Sequence, residues 1–180
     1  MTDKSVQFEC GIWDKLGDCM IPLASLETLP VCYRKTIPSD YQDIMGHMNI
    51  RWYFDLFARS GRTFFKSHGL DEDYFRNGNF GVFALKHFIQ YFAEVRVGQT
   101  VAIHTRLMGR SDKRFHFVHF MINETTTQLA ATFEALITHA DLKLRRSAPM
   151  PGQIAQKFDG TLTKDAALDW EAPICGAIRL

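Results

Sequence analysis

From Ile50 to about Ser67 the charged residues Arg51, Asp55, Arg59, Arg62 and Lys66 recur at steps of four, four, three and four. That spacing stacks side chains on one face of an α-helix. Ile50, Trp52, Tyr53, Phe54, Leu56, Phe57, Ala58, Phe64 and Phe65 fill most of the remaining surface. So wide an apolar arc belongs to a helix largely buried against something broad, such as a β-sheet. Asn49 stands where an N-cap is expected, and Gly69 where a left-handed C-terminal cap would end the helix.

The flanking segments supply the sheet. Residues 31–37 are rich in β-formers and are stopped by Pro38. Residues 70–80 read as a polar connection, after which the hydrophobic period changes from helical to two. Segments 81–94, 100–108, 115–122 and 128–140 read as four strands. Their joints at Val97-Gly98-Gln99, Gly109-Arg110-Ser111-Asp112 and Asn123-Glu124-Thr125-Thr126 are short and turn-like, which favours antiparallel hairpins. One strand, one buried helix and a four-stranded meander make an α+β fold. The 15 Phe and 46 % apolar content are ample for its core. Pro149 and Pro151 break the last strand, and residues 153–168 are expected to hold a short helix. The expected organisation is an N-terminal extension over 1–27, forming a short leader helix or arm, a central domain over 28–146, and a C-terminal extension over 147–180.

The chemistry concentrates just ahead of the long helix, in Asp43-Ile44-Met45-Gly46-His47-Met48-Asn49. A helix N-terminus offers unpaired backbone N–H groups and a partial positive charge, which suit it to hold an anion or a carbonyl oxygen developing negative charge. A carboxylate beside such a donor suggests acyl chemistry. Asp43 is the candidate base or nucleophile, and the amides around Asn49, Ile50 and Arg51 are the candidate oxyanion donors. Asp43 also suits an Asx hydrogen bond that closes a turn. Gly46 permits a backbone conformation or a close ligand approach that a Cβ would block. His47 either orients Asp43 or is simply held in the turn, and Asn49 either caps the helix or touches substrate. Phe54, Phe57 and Phe64 are candidates to bound an acyl pocket. Around one hairpin turn, Arg110, Lys113 and Arg114 could hold phosphate through charge-assisted hydrogen bonds, as could Arg145-Arg146.

Other classes fall away. Twenty-one basic side chains against 20 acidic leave a formal charge of +1, so no global field draws nucleic acid or an anionic membrane. No window approaches the ~20 consecutive apolar residues of a membrane span. The first residues lack a secretory pattern, and a cytoplasmic chain is the expectation. Cys10, Cys19, Cys32 and Cys175 are scattered without zinc-like spacing and read as free thiols. His116 and His119, three apart on a strand, point to opposite faces, while His87, His104 and His139 lie on separate strands. No metal is expected.

Taken together, the strand over 31–37, the motif from Asp43 to Asn49, Tyr53 four residues later, and a terminal set of strands containing Tyr91, Glu94 and Val97-Gly98-Gln99-Thr100-Val101 resemble the hotdog-fold thioesterases of the 4-hydroxybenzoyl-CoA thioesterase type. The resemblance spans about residues 30–142. It implies a five-stranded antiparallel sheet wrapped around a long central helix. It also implies hydrolysis of acyl-CoA without metal or organic cofactor, by a homodimer or dimer of dimers. The family pattern is Asp-x-Asp-x-x-Gly-His-x-Asn, and its catalytic second Asp falls on Asp43. Family members divide between general-base and nucleophilic roles for that residue. With Gly46 and Phe57, Tyr53 joins the expected substrate-binding set. Two positions depart from the pattern: Tyr41 replaces the first acidic residue, and Ala58-Arg59 stand where many relatives carry a Glu. A non-hydrolytic acyl-thioester binding module is the alternative, and a hydroxyacyl-thioester dehydratase a weaker one.

Overall fold

The structure is a computed structural model that describes residues 21–180; of the expected N-terminal extension, residues 1–20 lie outside the described residues. The chain runs α1 (Leu23–Glu27), β1 (Val31–Thr36), a 3-10 turn (Ser39–Tyr41), α2 (Ile50–Ser67), α3 (Glu72–Gly78), β2 (Phe80–Tyr91), β3 (Thr100–Arg110), β4 (Arg114–Asn123), β5 (Gln128–Asp141), β6 (Arg146–Ser147) and α4 (Gly152–Ala166). The strands form one antiparallel sheet in the order β1-β3-β4-β5-β2, with two-residue β6 added beside β5. No helix among the described residues is long and apolar enough to cross a membrane.

The long helix forms over the expected residues and with the expected ends. Asn49 Oδ1 accepts from the Arg51 N–H at 3.1 Å, satisfying one of the first-turn donors. At the other end Gly69 takes φ +92°, its N–H reaches the Lys66 carbonyl, and the Leu70 N–H reaches that of Phe65. That double bond pattern closes a helix around a left-handed residue. Leu56, Phe57, Phe64 and Phe65 face the sheet, where Phe57 stacks on Phe133, Phe64 meets Phe117, and Phe65 meets Phe115. The apolar arc is not buried all round, however. Ile50 is 68 % exposed and Phe54 46 %.

Two expectations are corrected. Residues 81–94 do not form a hairpin with the next strand: β2 lies at the far edge, paired to β5, and the meander holds only for β3-β4-β5. The connection through Val97-Gly98-Gln99 is a crossover. It leaves the end of β2 where the Phe92 and Ala93 N–H groups bond to the Ala130 carbonyl of β5, passes the start of α2 where the Met48 N–H bonds to the Val95 carbonyl, and arrives beside Ile37. Its turn residues mark a change of direction, and turn chemistry does not by itself say which strand comes next in the sheet. The second correction is the segment 70–80, which contains α3. Asp71 caps it by accepting from the Tyr74 N–H at 2.9 Å, and Glu72 and Asp73 favour its positive end.

The C-terminal segment packs into the same core. Ile154 and Phe158 of α4 are buried, and Phe158 stacks on His68 and meets Phe115 at 4.4 Å between ring centroids. Asp165 accepts from the Leu107 N–H on β3 at 2.7 Å. Arg106 reaches from the same strand to the carbonyls of Asp165 and Trp170.

Candidate active site

Residues 42–48 form a tight loop ahead of α2. Gln42 and Met48 make an antiparallel bridge, the Asp43 N–H bonds to the His47 carbonyl, and the Gly46 N–H bonds to that of Asp43. Gly46 turns the chain at φ +89°, a conformation L side chains rarely adopt, and a Cβ there would meet nothing closer than 3.8 Å. Backbone conformation, and not crowding, is therefore what the glycine supplies. Met48 N–H to Val95 and Asn49 N–H to Tyr41 fasten the far side of the loop to the crossover and the 3-10 turn.

Within this frame Asp43 Oδ1 accepts from the Met45 N–H at 2.8 Å, and Oδ2 lies 3.3 Å from His47 Nδ1. The side chain is only 12 % exposed. The carboxylate is thus both turn cap and neighbour of a histidine, with its plane fixed by the backbone. In the first turn of α2 the Arg51 N–H goes to Asn49 Oδ1 and the Trp52 N–H to the Asn49 carbonyl. Among the described residues that leaves Ile50 as the first-turn amide best free to meet an oxyanion, at the positive end of an 18-residue helix. Tyr53 lies below, buried and edge-on to Tyr91. Burial pushes its phenol up to about 12 against an opposing hydrogen bond from Val95, so it stays protonated.

One turn further along, an apolar cavity of about 310 Å³ opens between α2, α3 and the β2 edge. Phe54, Phe57 and Phe65 line it from the helix, with Phe75 and Phe133 opposite. Phe64 does not line it, contrary to expectation. Phe54, Phe57, Ala58, Gly61 and Phe65 follow one helical stripe, and Phe64 falls off it to pack on Phe117 and Phe158. Three polar side chains border the cavity: Arg62 and His87, both exposed, and His119, which is buried. The cavity's His119, Gly61 and Phe75 escaped sequence reading as site residues. His119 was legible as an inward position on its strand, but nothing local joined it to Gly61.

Burial pushes His119 down to about 3 from its ordinary 6.5. Between those values the unfolded chain binds the extra proton and the folded one does not. This contribution to stability is therefore complete above about pH 6.5 and is lost as pH falls through the window toward 3. The melting temperature should drop between pH 7 and 5, and more steeply in wild type than in His119→Phe. Equal slopes in thermal melts would refute this.

The basic hairpin sits elsewhere. Arg110 is held by both carboxylate oxygens of Asp159 on α4. Lys113 and Arg114 adjoin Phe115, which packs on Phe65 in the last turns of α2. An 18-residue helix is about 27 Å long at a 1.5 Å rise per residue. Within one chain this cluster therefore stands at the opposite end of the helix from Asp43. Arg145 and Arg146 border a separate cleft with Phe83 and Ser147.

Residues 37–158 match the family model of the thioesterase-like superfamily. The chain belongs to that superfamily. A betainyl-CoA thioesterase of Pseudomonas aeruginosa is 25 % identical over 136 residues, covering 76 % of this chain and 86 % of the relative. An L-carnitine dehydrogenase/betainyl-CoA thioesterase of Rhizobium meliloti is 26 % identical over 162 residues, or 90 % of this chain. The chain spans about a third of the length of that relative, covering 32 % of it. Among solved structures, a hypothetical protein of Staphylococcus aureus in complex with CoA superposes with a TM-score of 0.76 at 21 % identity, covering 84 % of this chain and 96 % of that one. A 1,4-dihydroxy-2-naphthoyl-CoA thioesterase of Synechocystis gives 0.62 at 18 % identity, covering 77 % and 97 %. The fold is the hotdog, and the family is one of thioester hydrolases.

Proposed function

We propose that this chain hydrolyses an acyl-CoA thioester to a free acid and CoA, with Asp43 as general base or nucleophile and the Ile50 amide as oxyanion donor. One observation carries the reading: a largely buried carboxylate, fixed by Met45 and facing His47, lies on the loop that runs directly into a helix start whose Ile50 N–H has no hydrogen-bond partner among the described residues. The apolar cavity one turn along the helix supplies room for an acyl group. Hydrolysis requires an activated water or carboxylate and stabilisation of the oxyanion, and these groups are of the right kind for both. Thiol release from a panel of acyl-CoAs tests the reading. Binding without release would favour the non-hydrolytic alternative.

The same reading takes the protein to be a homodimer. β2 is an edge strand with Phe83, Leu85 and Phe88 exposed, and Ile50 and Phe54 on α2 extend that apolar surface. An open, apolar edge is a template for pairing. Antiparallel pairing of two β2 strands about a two-fold axis would set the start of one against the end of the other. The Tyr91 end adjoins Tyr53 and the Asp43 loop, and Phe83, near the other end, adjoins Arg145. Arg145 and Arg146 of one copy would thus approach the Asp43 loop of the second, where they could hold CoA phosphates. Sedimentation at micromolar concentration should give a dimer and Leu85→Lys a monomer. A monomeric wild type would refute the arrangement.

A further inference from the structure

The floor of the apolar cavity carries one polar atom whose role the hydrolytic chemistry leaves unassigned. His119 is 1 % exposed and lies beside the stacked pair Phe57 and Phe133, its ring nearly parallel to both and 6.0 Å from each centroid. Its Nδ1 is 2.7 Å from Thr105 Oγ1. Among the described residues nothing hydrogen-bonds to Nε2, which faces Gly61; a Cβ on that glycine would stand 3.5 Å away.

The groups behind Nδ1 favour one direction for its bond. Cys32 Sγ–H points to the Pro30 carbonyl at 3.8 Å, and the Thr105 hydroxyl donates to Cys32 Sγ at 3.2 Å. Burial, above all, raises the Cys32 pKa and keeps the thiol protonated. With its proton given to sulfur, Thr105 Oγ1 would accept from His119 Nδ1–H, and this is the arrangement the proposal takes. A neutral imidazole that donates at Nδ1 has a lone pair at Nε2. The buried ring is neutral at physiological pH. The cavity therefore ends in a fixed, uncharged hydrogen-bond acceptor set among aromatic rings.

We propose that His119 is a specificity determinant that selects acyl groups carrying a hydroxyl, whose O–H donates to Nε2 at the cavity floor. The proposal rests on the reading of this cavity as the acyl site. A site built to pair a buried polar group discriminates against the analogue lacking the partner more strongly than an apolar pocket discriminates by size. A betainyl group, named for the relatives, has no O–H or N–H to donate.

Two measurements test this and separate it from the hydrolytic reading. In protein labelled with ¹⁵N at histidine, the free protein should show His119 protonated at Nδ1 and bare at Nε2. Phenol should then shift the Nε2 resonance, whereas toluene leaves it nearly unmoved. Gly61→Ala, which sets a methyl beside Nε2, should weaken phenol more than toluene. A proton on Nε2, or equal responses to the two probes, overturns the proposal whether or not any thioester is cleaved. The second measurement compares ω-hydroxyacyl-CoAs of graded length with their unsubstituted parents. Wild type should favour the best hydroxylated member at least tenfold in kcat/KM, and His119→Phe should erase the preference. A preference that survives His119→Phe, or wild-type selectivity for betainyl-CoA over every hydroxylated member, overturns it. Absence of hydrolysis throughout, with phenol still seated on Nε2, would reject the thioesterase reading and leave the subsite standing.

Discussion

Asp43→Asn should lower kcat for acyl-CoA hydrolysis by about a hundredfold or more, since a general base typically contributes roughly 10²–10⁴ in rate. The substitution isolates the charge. An asparagine side-chain oxygen can still accept from the Met45 N–H, now 2.8 Å from Asp43 Oδ1, so the turn and the path into α2 are retained. What disappears is the ability to take a proton or attack a carbonyl. KM should change little, because the interaction lost belongs to the transition state. Steady-state kinetics beside a thermal melt decide the matter. Near-wild-type turnover with an unchanged melt would reduce Asp43 to a turn cap. A collapse of both would mean that the charge holds the loop together through His47 and that the kinetic loss is indirect.

Much of this site was legible because its determinants are local. A capping amide, a turn glycine and a carboxylate within seven residues fix one loop and one helix start, and Asn49 and Gly46 act there as their residue types require. Period-two patterning gave the strands for the same reason. The place of β2 was not legible, because a strand's partner depends on which edge its hydrophobic face can reach, and neither the alternation over 81–94 nor the turn at Gly98 encodes that. The α3 signal was present in Asp71-Glu72-Asp73, but acidic residues beside Asn77-Gly78-Asn79 read equally well as loop. The cavity was the hardest part. Phe75, Gly61 and His119 meet only because three separate elements converge, and Phe64 and Phe65 differ by a single position on the helix. Arg110 shows the same limit for charge: its spacing suited phosphate, while its partner Asp159 lies 49 residues away in sequence.

The C-terminal helix offers the sharpest test of how the core is assembled. Phe158→Ala should destabilise the protein by about 3–5 kcal/mol, the usual cost of truncating a fully buried aromatic residue. Phe158 is wholly buried, and its ring contacts run to both layers of the domain: His68 at 4.1 Å and Phe65 at 6.1 Å on the helix side, and Phe115 at 4.4 Å on the sheet side. Truncation leaves a cavity at the end of α2 that α4 cannot close by sliding, because its Asp165, bound to the Leu107 N–H of β3, and its Asp159, paired with Arg110, hold the helix at two further points. Domains of this size are commonly stable by only about 5–15 kcal/mol, so the loss should move the urea midpoint substantially with little change in slope. Catalysis by the remaining folded fraction should be nearly intact, since Asp43 lies at the other end of α2. A loss below about 1 kcal/mol would mean that α4 is an appendage. A large loss confined to α4, seen as early local unfolding with the sheet still protected from hydrogen exchange, would mean that it folds on a completed core and does not help to form it.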